Sequence, residues 1–307
     1  IEQHQVDVAS GTTPYAAGLR KAFQVKNGNQ TSGAGTSDRV LIMYRIEAQD
    51  IANSGWDYTS SSSYLTFSFY VKSSVAQNFY GDFRTYDGTG QGYAIETGSL
   101  SANTWTKITK SIPGNSNLTF DNDINVGLEI QWTLYRGTDT TGTKSLNTWA
   151  AFNSSDRVPD MSSSWYTTDD ATFEITGIQL EVGSVATDFE HRTLGQELAL
   201  CKRYYNRFTS GSQYTRFADG QVQSTNQAEF TFQHPVTMRA APTFGSGGAL
   251  KAWTENSLKT ISSIANNDPN INNSTLTATV SGCTRGFAVD LIANNDTTAY
   301  IEFISEL

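Results

Sequence analysis

Paired carboxylates are the side chains in this sequence whose spacing suits acid–base chemistry. A glycoside hydrolase needs two such groups flanking the scissile bond, one as a general acid and the other as a base or nucleophile. Pairs of this kind occur at three places along the chain: Asp121 with Asp123, Asp169 with Asp170, and Glu129 with Glu181. An acidic protein also carries such pairs on solvated surfaces, so the pattern favours surface carboxylates over a catalytic site.

The segment Asp121-Asn-Asp123 also offers the oxygen ligands that Ca²⁺ prefers. It lacks the remaining ligand spacing of an EF-hand, and aspartate and asparagine are equally typical of turns. The sequence therefore favours an ordinary turn, with a structural Ca²⁺ at Asp121 and Asp123 as the weaker alternative. We expect no other cofactor.

The three histidines, His4, His191 and His234, show no metal-ligand spacing, so a zinc site is not expected. The sequence contains no nucleophile elbow, no Walker loop and no glycine-rich dinucleotide turn. We therefore expect hydrogen-bonding histidines and a protein that is not an enzyme. Because the carboxylates are plentiful, a polysaccharide depolymerase is kept as the least favoured alternative.

Aromatic side chains that face away from the core offer a different chemistry. In Phe79 to Tyr86, alternation places the phenylalanines on the core face and Tyr80, Arg84 and Tyr86 on the opposite face. Predicted loops add further rings. The candidate glycan-binding residues are Trp56, Tyr58, Tyr80, Arg84, Tyr86, Trp149, Trp165 and Tyr166.

Exposed rings of this kind suit carbohydrate. A sugar presents apolar C–H faces edged by hydroxyls, which match an aromatic plane flanked by amide and carboxylate side chains. An exposed aromatic patch also marks an interaction site in general. Packing against a loop, the second domain or another subunit is the alternative for each ring, and Trp132 is assigned to the core.

The elements that must position these rings are read from hydrophobic alternation. Tyr64 to Val71 and Val126 to Tyr135 place apolar residues at every second position, which predicts half-buried strands. Val40 to Ala48 reads as a strand covered on both faces. In Phe173 to Val182 the apolar phase switches at Thr176-Gly177, which predicts a β-bulge.

Such strands, separated by Gly, Asn, Ser and Thr turns without amphipathic helices between them, predict an all-β fold. We expect an N-terminal jelly-roll β-sandwich, like that of a carbohydrate-binding module, over residues 1–190. A short helical connector over 191–200 would follow, because Thr193 and Gln196 have capping-box spacing. A smaller β-sandwich-like domain would occupy 201–307.

Composition limits the partners. The chain has 307 residues, a formal net charge of −9 and only 17% charged residues. An acidic chain without basic blocks argues against nucleic acid, whose phosphates require clustered Lys and Arg. No run approaches the roughly 18 apolar residues of a membrane span, so membrane insertion is not expected. The cysteines Cys201 and Cys283 are expected to be buried thiols.

One stretch is more specific than composition. It runs Gly177-Ile-Gln-Leu-Glu-Val-Gly-Ser-Val-Ala-Thr-Asp-Phe-Glu-His191 and continues to Glu197-Leu-Ala-Leu-Cys-Lys-Arg-Tyr-Tyr205. This Q-L-E-x-G-x-x-A-T-x-F-E pattern resembles the closing strand of a jelly roll in tail-fibre and related structural proteins of marine tailed bacteriophages, cyanophages among them. Phe67-Ser-Phe-Tyr-Val-Lys72 and the terminal Ile304-Ser-Glu-Leu307 fit the same pattern, so the resemblance spans nearly the whole chain.

The resemblance implies a virion protein on the tail or capsid surface, extracellular when acting. It implies a homo-oligomer, a trimer as in phage fibres of this type, with other virion proteins and host surface polysaccharide as partners. The favoured function is a non-catalytic, receptor-binding adhesin for host glycans. The alternative is a purely structural virion protein such as a capsid fibre, decoration or tail component. Family members carry a virion-anchoring region upstream, so we expect these residues to be the C-terminal part of a longer protein.

Overall fold

Alternating polar and apolar residues make the regular secondary structure of this chain predominantly β-strand, which confirms the all-β fold class. In the computed structural model, which describes residues 1–29 and 33–307, the strands belong to two units, Ile1–His191 and Arg192–Leu307. The helices of the described residues are short: α1 (Thr13–Ala16), α2 (Ala48–Ala52), α3 (Ser164–Thr167) and α4 (Leu194–Lys202). None of these helices is long and apolar enough to cross a membrane.

The first unit is a β-sandwich of two five-stranded sheets. Its strands are β1 (Glu2–Asp7), β2 (Lys21–Lys26), β3 (Arg39–Glu47), β4 (Tyr64–Ser73), β5 (Asn78–Thr85), β6 (Gln91–Ser99), β7 (Thr106–Pro113), β8 (Val126–Arg136), β9 (Thr141–Gly142), β10 (Trp149–Ala151), β11 (Val158–Pro159) and β12 (Thr172–Val182). The first sheet has the order β1-β2-β12-β4-β7, and the second sheet has the order β10-β6-β5-β8-β3. The chain crosses between the two sheets after β2, β3, β4, β6 and β7, and again between β10 and β12, as in a jelly roll.

Apolar residues from the two facing sheets meet in the sandwich core. Phe67 on β4 packs against Phe83 on β5 at a ring-centroid distance of 5.2 Å and against Trp132 on β8 at 5.5 Å. The alternation that predicted inward-facing Leu65, Phe67, Phe69 and Val71 is confirmed, because all four are buried. Trp132 is buried as well, as predicted.

The predicted β-bulge lies in β12. Thr176 pairs with Tyr70 of β4, whereas Gln179 pairs with Ser68, so β12 carries one extra residue between these pairs. Gly177 adopts a φ of +59°, a left-handed conformation that glycine reaches without steric cost. After the bulge, alternation places Ile178, Leu180 and Val182 together, but only Leu180 packs against the core while the other two are exposed.

Strand β3 differs from its sequence-based prediction. It was predicted to be covered on both faces, yet it forms the edge of the second sheet, and Met43 and Tyr44 are exposed. Strand β8 differs in the opposite way, because the residues facing away from the core, including Glu129 and Gln131, are also buried. Alternation alone cannot distinguish an outer face that meets solvent from one that a loop covers.

The second unit carries α4 followed by a three-stranded and a seven-stranded sheet, with orders β13-β22-β16 and β18-β17-β21-β14-β15-β20-β19. Its strands are β13 (Tyr205–Thr209), β14 (Arg216–Ser224), β15 (Gln227–Gln233), β16 (Thr243–Gly247), β17 (Leu250–Thr254), β18 (Ser257–Thr260), β19 (Ser263–Pro269), β20 (Asn273–Thr279), β21 (Ala288–Ala293) and β22 (Tyr300–Ile304). The core is built around Phe230, Leu276 and Phe303.

Helix α4 begins at the predicted cap. Thr193 and Gln196 form a reciprocal capping box, which satisfies two backbone N–H groups that the first helical turn leaves without partners. The helix belongs to the second unit, and none of its residues is buried. Cys201 on this helix is exposed, so the prediction of two buried thiols is wrong for Cys201 and confirmed for Cys283.

Candidate functional site

A buried polar network covers the outer face of the second sheet. We define it as Asp82, Glu129, Gln131, Arg136 and Arg157. Register places Asp82 of β5 beside Gln131 of β8, so their side chains emerge together on this face. Arg157, from the segment between β10 and β11, donates to Asp82 Oδ2 from Nε at 3.1 Å and from Nη2 at 2.6 Å, and to Glu129 Oε1 from Nη2 at 3.2 Å.

Glu129 is the most heavily hydrogen-bonded member of this network. Besides Arg157, it accepts from Tyr86 Oη at 2.7 Å, from Arg45 Nε at 3.0 Å and from Gln131 Nε2 at 2.7 Å. Burial alone would raise the pKa of Glu129, but the hydrogen bonds donated by Tyr86, Arg45 and Arg157 outweigh it and lower the pKa below its usual value. Glu129 is therefore a carboxylate at neutral pH.

Burial sets the direction of the pKa shift at two other charged groups of the network, Asp82 and Arg136. It raises the pKa of Asp82, against the opposing charge and hydrogen bonds of Arg157. It lowers the pKa of Arg136 to about 10, although Asp82 partly offsets this. Arg136 in turn donates to Gln131 Oε1 at 2.8 Å, so the charges are joined through hydrogen bonds across three strands and a loop.

This arrangement does not suit general acid–base catalysis by Asp82 and Glu129. Their side chains are only 4% and 1% exposed, and the Arg157 guanidinium occupies the space next to both carboxylates. A catalytic acid must reach the leaving group of its substrate, either directly or through one water. The network instead fixes the loop that carries Arg157 onto the outer face of the sheet. Of the three pairs predicted from the sequence, Glu129 with Glu181 is divided between the two sheets, and Asp169 and Asp170 are both exposed.

The predicted exposure is wrong for four of the eight candidate glycan-binding residues: Trp56, Trp149, Trp165 and Tyr166. These rings belong to segments that fold back onto the sandwich and close its core. Trp149 donates its indole N–H to the Pro113 carbonyl at 2.7 Å. Tyr166 stacks on Tyr135 with a centroid distance of 4.4 Å. Because Trp149 and Tyr166 are both buried, neither of these two candidates offers a free ring face to a sugar.

The other four candidates, Tyr58, Tyr80, Arg84 and Tyr86, are half-buried. The structure brings Arg84 and Tyr86 together, because the Arg84 guanidinium lies 4.2 Å from the Tyr86 ring centroid. Its second neighbour is the Phe152 ring, 3.9 Å away. Cation–π contacts with two protein rings therefore hold Arg84 in place. Tyr58 instead packs edge-on against Phe120, with ring centroids 5.1 Å apart.

The proposed Ca²⁺ ligands lie in the loop before β8. Asp123 accepts from the Asn125 backbone at 2.9 Å and also from its side-chain amide, which is the geometry of an Asx turn. The Asp121 backbone N–H donates to Asp87 at 3.0 Å. Within residues 1–29 and 33–307, no group of three or more His, Cys, Asp or Glu side chains is arranged to hold a metal ion.

The three histidines each make a hydrogen bond. His4 bonds Glu2 at 3.0 Å, His191 bonds the Ala17 carbonyl at 2.9 Å, and His234 bonds Ser274 at 3.1 Å. Burial lowers the pKa of His234, so this imidazole is neutral at pH 7.

An open cleft in the second unit carries exposed aromatic and charged side chains. Its volume is about 290 Å³, and its lining residues are Tyr214, Arg216, Trp253, Leu258 and Ile292. We call it the second-unit cleft. Tyr214 is 55% exposed and Leu258 is 42% exposed. Apolar walls of this kind, with a few polar groups that fix orientation, are typical of small-molecule sites.

An ion pair supplies the polar edge of the second-unit cleft. Arg216 Nε lies 2.8 Å from Asp290 Oδ2, and 65% of the Arg216 side chain remains exposed. Strand register places Trp253 of β17 directly beside Asp290 of β21. Burial raises the pKa of Asp290, with Arg216 opposing and Asp219 reinforcing that shift. A ring face, a guanidinium and a carboxylate therefore converge here.

The second-unit cleft is not among the sites predicted from the sequence. Leu250 to Thr254 alternates, with Ala252 and Thr254 buried and Lys251 and Trp253 on the other face, so strand parity could have identified Trp253. The strand is only five residues long, and its bulky apolar residues are just Leu250 and Trp253, so its alternation is a weak signal. Its link to Tyr214 depends on tertiary structure.

The residues that carry the sequence signature make a structural contact. Glu181 accepts from the Thr187 amide at 3.0 Å and from its hydroxyl at 2.7 Å. Gln179 donates to the Asp188 carbonyl at 3.3 Å and accepts from the Glu190 amide at 2.8 Å. The segment after β12 is thereby held against the first sheet, and we call residues 183–191 the returning segment.

No protein-family model and no curated protein matches this chain. Among solved structures, the chain is similar to wild-type discoidin II from Dictyostelium discoideum, with 10% identity, a TM-score of 0.19, and coverage of 99% of this chain and 94% of that chain. It is also similar to a structure of Cucumber Necrosis Virus, with 9% identity, a TM-score of 0.17, and coverage of 99% and 90%. Likenesses at these TM-scores assign no function.

Proposed function

We propose that this protein is a non-catalytic fibre or spike component of a tailed bacteriophage that binds host surface glycans. The observation that carries the proposal is the second-unit cleft, where Trp253 and Tyr214 lie beside the Arg216–Asp290 ion pair. This cleft replaces the eight candidate residues chosen from strand parity and predicted loops, four of which are buried in the core.

The chemistry of the second-unit cleft fits a sugar. The C–H face of a pyranose packs on an aromatic plane, and its hydroxyls hydrogen-bond to charged side chains at the rim. Arg216 donates and Asp290 accepts, so both roles of a sugar hydroxyl are matched. The ion pair leaves the site without a large net charge, and the chain as a whole carries −9. Neutral glycans are therefore favoured over polyanions.

The virion setting rests on the sequence resemblance to marine phage fibres. A homotrimer on the tail or capsid surface, in contact with other virion proteins, would present several copies of the cleft to one cell. Weak individual sugar contacts then add up through multivalency, since later contacts form at high effective concentration. Neither nucleic acid nor membrane insertion has a place in this proposal.

A purely structural virion role is the second candidate. The observation that favours it is the burial of Trp56, Trp149 and Trp165, whose rings stabilise the sandwich rather than present a binding face. Under this alternative the second-unit cleft has no glycan ligand, and the two units serve only in assembly.

The test is staining of a panel of marine bacterial strains with fluorescently labelled protein, with and without soluble surface polysaccharide. We expect selective staining that one polysaccharide abolishes, and we expect Trp253→Ala to weaken it about tenfold or more, as truncation of an aromatic hot spot does. Tyr44→Ala is the matched control, because Tyr44 is 60% exposed but lies in the first unit. Absence of staining on every strain, the host included, would favour the structural role.

A further inference from the structure

A second cleft lies in the first unit, where the returning segment meets the bulge of β12. Its volume is about 340 Å³, and we call it the first-unit cleft. One wall is the bulge itself. A Cβ atom at Gly177 would lie 2.5 Å from Leu19 Cδ1 and 3.2 Å from Tyr70 Cδ2, so glycine leaves room for both side chains beside the bulge.

The opposite wall is the returning segment. Gln179 and Glu181 hold it in place through the hydrogen bonds described above. Phe189 and His191 within it pack edge to face, with ring centroids 5.0 Å apart. The His191 Nε2 atom is 2.9 Å from the Ala17 carbonyl, which fixes the imidazole at the rim. The cleft is therefore bounded on both sides by hydrogen-bonded elements of one unit.

The lining side chains combine rings with hydrogen-bonding groups. Tyr70 and Phe189 are half-buried, and Ser68, which lies on β4 two residues before Tyr70, is buried. Lys107 and Asp188 are exposed at the cleft, so a positively charged hydrogen-bond donor and a negatively charged acceptor lie at its edge. The Lys107 ammonium is 5.8 Å from the Tyr70 ring centroid.

The charges around the cleft decide which ligand fits. Lys107 is its single ammonium among the described lining residues, and it faces two carboxylates, Asp188 in the lining and Glu181 beside it. Hydrogen bonds from Thr187 and Gln179 keep Glu181 ionised against the effect of burial, because together they lower its pKa. An anionic ligand would meet more negative than positive charge here, so an uncharged polar ligand is favoured.

We infer that the first-unit cleft is a second carbohydrate site, one that takes an uncharged pyranose ring packed on Tyr70 with its hydroxyls bonded to Ser68, Lys107 and Asp188. The inference rests on the proposed glycan-binding function and deepens it. A chain with one sugar site in each unit engages two positions of the same polysaccharide, and the second contact forms at raised effective concentration.

The test uses the full chain and saturation-transfer NMR with defined probes: the methyl glycosides of glucose, galactose, mannose and glucuronic acid. In the Trp253→Ala background, a neutral methyl glycoside should still bind. Adding Tyr70→Ala should raise its Kd by about tenfold, equivalent to about 1.4 kcal/mol. Tyr64→Ala is the matched control, since Tyr64 lies on the same strand and parity but outside the cleft.

A second variant guards against misfolding. Asp188→Asn removes the carboxylate of an exposed residue. Gln179 of the first sheet bonds the backbone carbonyl of Asp188, which this substitution keeps. It should weaken glycoside binding while the unfolding transition stays at the wild-type temperature. If Tyr70→Ala lowers the melting temperature, Asp188→Asn decides the matter alone.

The outcomes separate this inference from the proposed function. Loss of all glycoside binding in Trp253→Ala alone would overturn the first-unit site and leave the proposed function intact. If Tyr70→Ala abolishes glycoside binding and Trp253→Ala leaves it unchanged, the first-unit site is supported and the second-unit cleft is overturned as the binding site. Preferential binding of the glucuronide would overturn the uncharged ligand class. No glycoside binding by the wild type would overturn the inference, and cell staining would then decide the proposed function separately.

Discussion

Replacing Arg157 with methionine tests whether the buried polar network holds the covering loop onto the second sheet. The Arg157 side chain is 10% exposed, and it pairs with Asp82 and Glu129, whose side chains are 4% and 1% exposed. Methionine keeps the apolar stem but removes every donor. Glu129 retains its bonds from Tyr86, Arg45 and Gln131, whereas Asp82 loses the partner that donates to it twice.

The expected loss of stability depends on which carboxylate loses its hydrogen-bond donors. Breaking a buried ion pair by removing one partner costs about 3–5 kcal/mol. Because only Asp82 is left without a hydrogen-bonded cation, we expect about 3 kcal/mol, the lower end of that range. The control Arg45→Met removes another Glu129 partner that is 33% exposed, and a partly solvated pair of this kind contributes about 1 kcal/mol or less.

The loss should depend on pH in a stated direction. Burial already raises the pKa of Asp82, and the Arg157 charge opposes that shift, so the variant raises this pKa further. A carboxyl whose pKa is raised in the folded state costs stability that is absent below its unfolded-state pKa, grows as pH rises through the interval between the two pKa values, and is complete above the folded-state pKa. The deficit of Arg157→Met relative to wild type should therefore be larger at pH 7 than near pH 4, the unperturbed value of aspartate.

Urea unfolding followed by tryptophan fluorescence measures this deficit. In a Trp253→Phe background the remaining tryptophans, Trp56, Trp105, Trp132, Trp149 and Trp165, all lie in the first unit, so the signal reports that unit alone. The double variant Asp82→Asn/Arg157→Met should recover part of the lost stability, because it removes the uncompensated charge. A deficit below about 1 kcal/mol, the size of an exposed pair, or one that is equal at pH 7 and pH 4.5, would refute the reasoning.

Two further predictions concern single residues. Gly177→Ala should lower the stability of the first unit by about 1–3 kcal/mol, because it places a side chain at a φ of +59° against a neighbouring leucine; urea unfolding measures this, and Gly28→Ala, which lies in the same unit and meets nothing within 4 Å, is the control. In a thiol assay Cys201 should react at once, whereas Cys283 should react only after unfolding, because burial both shields that thiol and raises its pKa. Equal reaction rates would contradict the second prediction.

Strand periodicity predicted the core of the first unit well. Leu65, Phe67, Phe69 and Val71 fall on one face because a strand alternates its side chains, and burial of one face is enough to select those residues. The bulge at Thr176-Gly177 was equally readable, since one extra residue reverses the phase of everything after it. Local geometry sets both features.

Whether the outer face of a strand is buried or exposed could not be predicted in this way. Parity predicts that Glu129 and Tyr86 face away from the core, and both do, yet whether that face meets solvent depends on Arg157, which lies 28 residues beyond Glu129 in the chain. The predicted exposure of Trp56 and Trp165, both assigned to loops, was wrong for the same reason. A loop residue carries no periodicity, so its burial is set by where the loop returns.

The amino-acid sequence by itself therefore determined the fold class, the strand faces and the cap of α4, because these follow from the period of a strand and from contacts between residues near in the chain. Only the tertiary structure decided which outward side chains are free. Trp253 and Tyr214, 39 residues apart, and Tyr70 and Phe189, 119 apart, line common clefts because strand pairing and loop return bring distant segments together. Burial of a face depends on those long-range contacts, which alternation does not encode.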